Sequence, residues 1–418
     1  MYALVDGNNF YASCERVFNP ALRTQPIVVL SNNDGIIIAR SNEAKAMGIK
    51  MGIPAFEIKH LIKSQKVIAF SSNYALYGDM SQRMMQIFGD FTPDVEIYSI
   101  DEAFLDFKGF ELTKLRQMGL NLRKKVDKYI GIPVSVGFGP TKTLAKIANR
   151  IAKKHMKDGV ALIDTAYKIE KALKMTAIED VWGIGRQHSR FLQKNQVKTA
   201  WDFTQLPQDF IRKNMSVTGL RTQMELQGIT CIPMEYIPPA KKAIRTARTF
   251  AQATDDYEYL AESIAGFAAT CGQKLREQKS AANLLTVFVR TNKFDHNKPY
   301  YANSFTIQLP ATDSSIVLIK AAKEALKIIF RPQHHYKKAG VLLSGLVPAQ
   351  NRQLNLFETG TDVKHKKVMQ TLDLLNKKHG YRLMKFAAEG RFGAWQLQQT
   401  YRSKRYTTRW DELIQIKL

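Results

Sequence analysis

The spacing of hydrophobic and polar positions predicts a unit of sheet and helices in the first 163 residues. Short runs of alternating or β-branched apolar residues predict strands, and apolar residues three and four positions apart predict helices. The predicted strands are 2–6, 95–98, 103–107, 133–138 and 159–163, and the predicted helices are 112–129 and 141–154. This order favours an α+β sheet with its helices packed on one face.

The helix predicted over 141–154 has the clearest pattern. Gly139-Pro140-Thr141 provides a start signal. The apolar stripe consists of Leu144, Ile147, Ala148, Ile151 and Ala152. The polar residues that fall largely outside this stripe are Lys142, Lys146, Asn149, Arg150 and Lys153. They form either a solvated basic face or, beside a cluster of carboxylates, a face that binds phosphate.

Two further segments and a linker follow from composition. Residues 11–72 contain a predicted strand at 36–40 and a short helix at 41–48, whereas residues 164–235 are mostly helical. Pro238-Pro239 marks a linker, beyond which the pattern starts again.

After the linker the pattern predicts a second α+β unit. Strands at 243–250, 284–290, 300–309 and 339–346 and helices at 255–278 and 314–329 give the βαββαβ order of a ferredoxin-like domain. Residues 240–352 hold 17 Lys and Arg against 8 Asp and Glu, without an evident cluster of catalytic carboxylates. Such a charge favours binding to a phosphate backbone, and Arg245 and Arg248 are the candidate contacts.

The whole chain is strongly basic. It carries 62 Lys and Arg against 37 Asp and Glu, a formal net charge of +25. This charge favours a polyanionic partner such as a nucleic acid, which releases counterions when Lys and Arg bind it. A membrane surface is the competing anion, but we find no apolar run of spanning length and no signal peptide. The scattered cysteines predict neither a disulfide frame nor a zinc site, which favours the cytoplasm.

Three carboxylates lie where the strand patterns break. Asp6 ends the first strand, and Asp101 and Glu102 precede the strand at 103–107. At a turn the two adjacent side chains converge, and with Asp6 they form a cluster of oxygen ligands that suits Mg²⁺ rather than zinc. Two metal ions about 3.5–4 Å apart are a known arrangement for nucleotidyl transfer. The plain alternative is that Asp-Glu only starts a hairpin.

A pair of glycines in the helical segment indicates a contact with nucleic acid. Gly183 and Gly185 alternate with hydrophobic residues between two predicted helices. This is the form of a helix-hairpin-helix, in which backbone N–H groups at a helix N-terminus bind a DNA phosphate. A plain turn is the alternative.

The C-terminal residues favour contacts with other proteins. A short motif that can anchor in an apolar pocket, and that resembles the bacterial sliding-clamp-binding pentapeptide, contains Gln353, Leu354, Leu356 and Phe357. Residues 358–418 are basic and contain Trp395 and Trp410, which favours a partner or nucleic acid, with a small structural lobe as the alternative. Arg405 and Arg409 would pair with a partner's acidic groups if that segment is helical. We expect residues 358–418 to be dispensable for chemistry.

Four motifs resemble those of the Y-family translesion DNA polymerases, in the family's order and spacing. They are Asp6–Glu15, Ala39–Lys45, Tyr98–Glu102 and Lys142–Lys146, and the resemblance extends over essentially the whole chain, including Arg405–Trp410. It implies a multidomain α+β polymerase of right-hand shape. The implied domains are a ferredoxin-like palm (1–10 and 73–163), small fingers (11–72), a helical thumb with a helix-hairpin-helix (164–235), an α+β little finger (240–350) and a clamp- and partner-binding region (351–418).

The resemblance also implies roles for individual residues. The matching positions are Asp6, Asp101 and Glu102 for the metal-binding carboxylates, Tyr11 for the steric gate under the sugar of the incoming nucleotide, and Lys45 and Lys153 for contacts with the triphosphate. Arg40, at the end of the strand predicted at 36–40, is a candidate phosphate contact from its position beside the short helix. The chain departs from the family's pattern at Gly7, where relatives often carry an aromatic residue, and at Asn42, where many carry a tyrosine.

The implied function is error-prone DNA synthesis across damaged template in the SOS response, with two Mg²⁺ ions. The implied partners are primer–template DNA, deoxynucleoside triphosphates, a UmuD′ dimer, RecA and the sliding clamp. One rival is a catalytically silent scaffold that recruits repair proteins, which the intact Asp6, Asp101, Glu102 and Tyr11 disfavour. A second rival is a palm-fold nucleotidyl cyclase, which would lack the thumb, the basic domain and the clamp motif.

Overall fold

The computed structural model describes residues 1–295, 297–351, 361–379, 383–390 and 398–415, with only the backbone given for residues 351 and 361–364. The chain divides into two compact units, which we describe separately. The first unit is Met1–Pro238 with Gln399–Leu418, and the second is Pro239–Gln398. The C-terminal region that the sequence treats as one piece, 351–418, is therefore divided between the two units.

The elements of the first unit agree with the predicted order over residues 93–163. Its strands are β1 (Tyr2–Gly7), β2 (Ile27–Leu30), β3 (Ile37–Arg40), β4 (Ile68–Ser71), β5 (Val95–Ile97), β6 (Glu102–Asp106), β7 (Val134–Gly139) and β8 (Val160–Leu162). Its helices are α1 (Phe10–Val17), α2 (Asn42–Ala46), α3 (Lys59–Lys63), α4 (Tyr74–Gly89), α5 (Leu112–Ile130), α6 (Lys142–His155), α7 (Ala166–Met175), α8 (Arg186–Lys194), α9 (Ala200–Thr204) and α10 (Gln208–Leu226).

The central sheet of the first unit has the strand order β5-β6-β1-β7-β8. Strands β6 and β7 are both antiparallel to β1, so the helix α5 joins two parallel strands that have β1 between them. This split βαβ connection is the ferredoxin-like arrangement predicted for the palm. Strand β8 extends it by pairing in parallel with β7.

Helices cover both faces of this sheet, so the prediction of helices on one face is wrong. Val5 and Leu105 lie in the same buried cluster as residues of α4 and α5. Leu4 and Phe104, which point the other way, pack against Ala145 of α6. The α6 backbone lies so close to β7 that a Cβ atom at Gly137 would be 1.9 Å from the backbone nitrogen of Asn149. Glycine at this position is what lets α6 rest directly on the second face.

The polar side of α6 is not a solvated basic face. Lys142 is buried, forms an ion pair with Glu96 and donates a hydrogen bond to the Pro233 carbonyl at 2.7 Å. Asn149 is also buried, and its amide donates to the Leu4 carbonyl at 3.0 Å. These two polar residues therefore fasten α6 to its surroundings.

Residues 11–72 form a small sheet of order β3-β2-β4, in which β2 is antiparallel to β3 and parallel to β4. The predicted strand at 36–40 and the short helix that follows are confirmed. Helices α7 to α10 then form a bundle whose apolar core includes Leu173, Leu192 and Phe203.

The second unit confirms the predicted βαββαβ order. Its elements are β9 (Ile244–Thr254), α11 (Tyr257–Glu277), β10 (Ser280–Thr291), β11 (Ala302–Thr312), α12 (Ser315–Ile329), β12 (Tyr336–Pro348) and α13 (Thr361–His379). The strand order is β11-β10-β12-β9, so the second and fourth strands of the motif are central. In the first unit the corresponding central strands are the first and third, β1 and β6. The same order of elements along the chain thus gives two different sheets, and the ferredoxin-like type predicted for the second unit is wrong in its strand order.

Among the described residues, no helix combines the length and the apolar character needed to cross a membrane.

Candidate functional site

Asp6 and Glu102 face each other across two neighbouring strands. The register of β1 and β6 pairs them directly, and a hydrogen bond joins their carboxyl groups. Burial raises the pKa of Asp6, although the nearby Lys153 ammonium opposes this effect. Burial also acts to raise the pKa of Glu102, but the hydrogen bond from Asp6 and the Lys146 ammonium outweigh it, so that pKa is lowered. The opposite shifts of the two pKa values reflect two acidic groups that lie close together, each beside a lysine.

Two lysines of α6 supply cations to this pair. Lys153 forms an ion pair with Asp6, and Lys146 lies 3.0 Å from Glu102. They are seven residues apart, which is about two helical turns, so both reach the same face of α6. Sequence reasoning identified Lys153 but left Lys146 as one of several surface lysines. The seven-residue spacing was the available signal.

An aromatic box surrounds Lys146. Its ammonium lies 4.5 Å from the centre of the Tyr98 ring, 5.5 Å from that of Trp182 and 5.9 Å from that of Phe104. The Trp182 indole donates a hydrogen bond to the Tyr98 hydroxyl at 3.1 Å. These contacts hold Lys146 beside Glu102 by cation–π attraction. Sequence reasoning did not predict this role for Trp182, because its partners lie far away along the chain.

Asp101 lies next to the pair and is held in place by hydrogen bonds. Its carboxylate accepts a hydrogen bond from the Ser99 hydroxyl at 2.7 Å, and its backbone carbonyl accepts one from Gly7 at 2.8 Å. No three His, Cys, Asp or Glu side chains within the described ranges are grouped as metal ligands. The structure thus brings Asp6 and Glu102 together as a pair, and Asp101 directly precedes Glu102 in the chain.

Three basic residues approach one another beside Asp6. Burial lowers the pKa of Lys45, and the positive charges of Arg40 and Lys153 lower it further, while Asp6 opposes the shift. Because Arg40 and Lys153 both lower the pKa of Lys45, they lie within electrostatic range of it. Asn42, at the position where relatives carry a tyrosine, accepts a hydrogen bond from Lys45 at 3.5 Å. This cluster is where the sequence predicted a site for phosphate.

Tyr11 lies on the surface of an aromatic stack. Its ring is stacked on Tyr77 with 4.6 Å between centres and an angle of 18°, and it meets Tyr74 edge-on at 6.2 Å. Burial raises the pKa of Tyr11 to about 12, and the charge of Asp101 acts in the same direction. Tyr11 therefore lies within electrostatic range of Asp101, and its ring packs face to face against the ring of Tyr77.

The two glycines of the predicted helix-hairpin-helix lie at the start of α8. Gly183 has a positive φ of 90°, a conformation that glycine adopts without strain. Gly185 caps α8, and no atom lies within 4 Å of the place where its Cβ would be. The backbone at the start of α8 is thus open to the approach of a phosphate group.

In the second unit, three cations share the sheet face that the helices leave open. The guanidinium of Arg245 lies 4.9 Å above the Phe288 ring, and that of Arg290 lies 5.7 Å from it. Burial, followed by repulsion from Arg245 and Arg290, lowers the pKa of Lys338. No ion pair among the described residues of this unit involves any of the three. We call Arg245, Arg290 and Lys338 the open-face cations.

Arg248 does not belong to this face. It pairs with Ala339, which is buried under the helices, so its Cβ points to the side opposite that of Arg245. The side chain is half-buried and donates a hydrogen bond to the Ala247 carbonyl at 3.1 Å. Residues three positions apart on a strand point to opposite faces, so the alternation along β9 separates Arg245 from Arg248. The prediction that both arginines contact DNA did not apply this alternation.

The C-terminal candidates have different outcomes. The motif at 353–357 and Trp395 lie outside the described residues. Trp410 is 91% exposed, as expected for a residue that contacts a partner. Arg405 and Arg409 lie in an irregular segment and pair with Glu412 of the same chain, at 3.1 and 3.5 Å. The helix on which their pairing with a partner depends is not present at residues 405–409.

Comparison with known proteins gives matches over most of the chain. Residues 5–150 match the impB/mucB/samB family, and residues 241–356 match the C-terminal domain of that family. Residues 366–416 match a domain of unknown function, DUF4113.

Individual relatives and solved structures agree with these matches. Protein UmuC of Salmonella typhimurium strain LT2 is 41% identical over 100% of both chains. DNA polymerase IV 1 of Bacillus subtilis strain 168 is 25% identical over 92% of both chains. A chimera of the Y-family DNA polymerases Dbh and Dpo4 superposes with a TM-score of 0.65 at 20% identity, covering 83% of this chain and 99% of the other. At that identity the last comparison establishes the fold alone.

Proposed function

Because this chain belongs to the impB/mucB/samB family, as a UmuC-type Y-family translesion DNA polymerase, we propose that it joins nucleotides at the site around Asp6, Asp101 and Glu102. One observation carries this assignment. The paired carboxylates Asp6 and Glu102 form ion pairs with Lys153 and Lys146 of α6, and Lys45 lies within electrostatic range of Asp6, Lys153 and Arg40. Acidic groups for metal and basic groups for phosphate thus meet at one place.

The carboxylates fit a divalent metal ion. Their donors are oxygen atoms only, which hard ions such as Mg²⁺ prefer. Asp6 is buried and forms an ion pair with the Lys153 ammonium, so this carboxylate already has a positive charge beside it. We propose that Asp6, Glu102 and Asp101 hold two Mg²⁺ ions. When bound, such ions polarise the phosphoryl group and stabilise the charge that develops on the attacking and leaving oxygens.

The basic residues of the site bind and orient the triphosphate. Arg40, Lys45 and Lys153 present three positive charges, and the pKa of Lys45 is lowered first by burial and then by repulsion from the other two. An incoming triphosphate relieves this repulsion. As the bond to the leaving pyrophosphate breaks, negative charge moves onto that group, and fixed cations stabilise it without reorganising.

Tyr11 selects the sugar. Its ring lies flat on Tyr77 at the edge of the site, where it would contact the C2′ side of a bound nucleotide. A ribose 2′-hydroxyl would then clash with the ring, which is exclusion of the wrong substrate by repulsion. A scaffold without catalytic activity would have no use for this arrangement.

The DNA is held without reading its sequence. The open backbone at Gly185, together with the turn at Gly183, offers N–H groups to one phosphate, and the open-face cations offer charge to others. We propose Arg290 and Lys338 beside the predicted Arg245 for this role. Arg248 would contribute least, because it lies on the helix-covered face.

The further partners follow from the family and from the sequence. We propose that the motif at 353–357 binds the sliding clamp and that the C-terminal residues contribute to binding of a UmuD′ dimer and RecA. The exposed Trp410 is a candidate contact. We propose that the protein acts in the SOS response and in the cytoplasm, where the damaged template lies.

Primer extension tests this function. The full chain would be assayed with Mg²⁺ on an undamaged template and on one with a single lesion, with and without UmuD′, RecA and clamp. We expect metal-dependent addition of deoxynucleotides, with extension past the lesion that the three partners increase. Absence of any addition under all of these conditions would contradict the proposed activity, and addition that the partners leave unchanged would contradict their assignment alone.

A further inference from the structure

The C-terminal strap, residues 399–408, packs along the junction between β4 and α4. The Gln399 amide donates a hydrogen bond to the Ser72 carbonyl at 3.0 Å. The Tyr401 N–H donates to the Ser71 hydroxyl at 2.9 Å, and the Ser71 N–H donates to the Tyr401 carbonyl at 3.1 Å. Since Ser71 ends β4 and is fully buried, these bonds fix the strap against the interior of the first unit.

Asn73 binds the middle of the strap and the start of α4 at the same time. Its amide nitrogen donates to the Ser403 hydroxyl at 3.0 Å, to the Ser403 carbonyl at 3.2 Å and to the Lys404 carbonyl at 3.2 Å. Its oxygen accepts the Leu76 N–H at 3.3 Å and so caps the helix. Ser403 is therefore held in place relative to α4.

Ser403 also reaches a buried carboxylate. Its hydroxyl donates to Glu15 Oε1 at 3.0 Å, and the Tyr77 hydroxyl donates to the same oxygen at 2.6 Å. Glu15 is 2% exposed, and none of the ion pairs among the described residues includes it. Burial raises the pKa of Glu15 to about 7, and the two hydroxyl donors oppose that rise. A buried carboxylate that relies on these donors keeps both hydroxyl groups in position.

Tyr77 in turn supports Tyr11. The Tyr77 side chain is fully buried, and the Tyr11 ring lies flat upon it at 4.6 Å. A displacement of the Tyr77 ring therefore changes where the Tyr11 ring sits. The contacts Ser403–Glu15–Tyr77–Tyr11 form a continuous path from the strap to the nucleotide site.

We propose that Ser403 is a positioning residue for sugar selection, acting through Glu15 and Tyr77 on the ring of Tyr11. The proposal rests on the role of Tyr11 as steric gate given above. It assigns to the last part of the DUF4113 match a task in the catalytic unit. The expectation that residues 358–418 are dispensable for chemistry does not take these contacts into account.

The test measures sugar discrimination in the full chain. Single-nucleotide insertion with a ribonucleotide and with the matching deoxyribonucleotide gives the ratio of the two kcat/KM values for Ser403→Ala and Tyr77→Phe. We expect each variant to raise ribonucleotide insertion relative to deoxyribonucleotide by about threefold or more, and the double variant to add little, because both act on one hydrogen-bonded path. Thr400→Ala is the matched control, since it removes an exposed hydroxyl of the same strap and should leave the ratio unchanged.

A purely structural role of the strap predicts a different result. In that case Ser403→Ala and Tyr77→Phe would lower insertion of both nucleotides in parallel and reduce the melting temperature, with an unchanged ratio, which would overturn the inference. Tyr11→Ala separates the two levels of the argument. If it changes the ratio and the other variants do not, only the inference fails. If Tyr11→Ala leaves the ratio unchanged, the steric-gate proposal fails and the inference fails with it.

Discussion

Neutralising the open-face cations should weaken DNA binding in a way that depends on salt. The perturbation is the triple variant Arg245→Gln, Arg290→Gln and Lys338→Gln. The three side chains lie on the sheet face that carries no helices, the two arginines over the Phe288 ring and Lys338 within electrostatic range of both, and no described acidic group pairs with them. If each contacts one phosphate, each releases condensed counterions when DNA binds.

The magnitude follows from the number of contacts. For duplex DNA the slope of log K against log salt changes by about 0.9 for each phosphate contact, so three contacts contribute about 2.7. Between 50 and 200 mM salt the wild type should therefore lose about 40-fold more affinity than the triple variant. Fluorescence anisotropy with a labelled primer–template, titrated at several salt concentrations, measures both slopes.

A matched variant controls for net charge. Lys320→Gln, Lys323→Gln and Lys327→Gln remove the same number of charges from α12, on the helix-covered side of the same sheet. This control should change the slope by less than about 1. An equal loss of slope in both triple variants, or no loss in the first, would refute the assignment of the open face to DNA.

Three further predictions concern other parts of the chain. Tyr11→Ala should raise ribonucleotide insertion more than it lowers overall rate, measured by single-nucleotide kinetics, and an unchanged preference would show that another residue is the gate. Alanine at both Leu356 and Phe357 should weaken clamp binding and clamp-stimulated synthesis but spare synthesis on a bare template, and wild-type affinity for the clamp would refute the motif. Because the pKa of Glu15 is raised from 4.5 to about 7, its contribution to stability is complete below pH 4.5 and is lost as the pH rises through 7. Glu15→Gln should remove that loss of about 3 kcal/mol between pH 4 and pH 8, measured by urea unfolding, and an identical pH dependence in both proteins would contradict a buried carboxyl.

Local patterns predicted the elements that local forces determine. The hairpin of β5 and β6, the helices α5 and α6 and the six elements β9 to β12 with α11 and α12 were predicted from apolar spacing and turn residues. Each depends on neighbours a few positions away, which the sequence shows directly. The carboxylates Asp6 and Glu102 could be placed for the same reason, since they lie at the ends of recognisable strands.

Contacts between residues that are far apart along the chain account for the features that local sequence patterns did not predict. Lys142 seemed to belong to a basic face, but its partner Glu96 lies 46 positions earlier and buries it. The side of the sheet that α6 occupies depends on how closely Gly137 lets it approach. The βαββαβ pattern is compatible with more than one strand order, so the two sheets could not be told apart. Ser403 is 388 positions from Glu15, and no local signal links them.

Catalysis at the carboxylates is tested most directly by Asp101→Asn. Single-turnover primer extension with Mg²⁺ and primer–template affinity would be measured side by side, with Asp90→Asn as control, because Asp90 pairs with Lys125 on the surface of the same unit. We predict that Asp101→Asn lowers extension by more than about 100-fold, as expected for loss of a metal ligand, while DNA affinity stays near that of the wild type. Extension by Asp101→Asn within about tenfold of the wild type would contradict a metal-dependent site at these carboxylates.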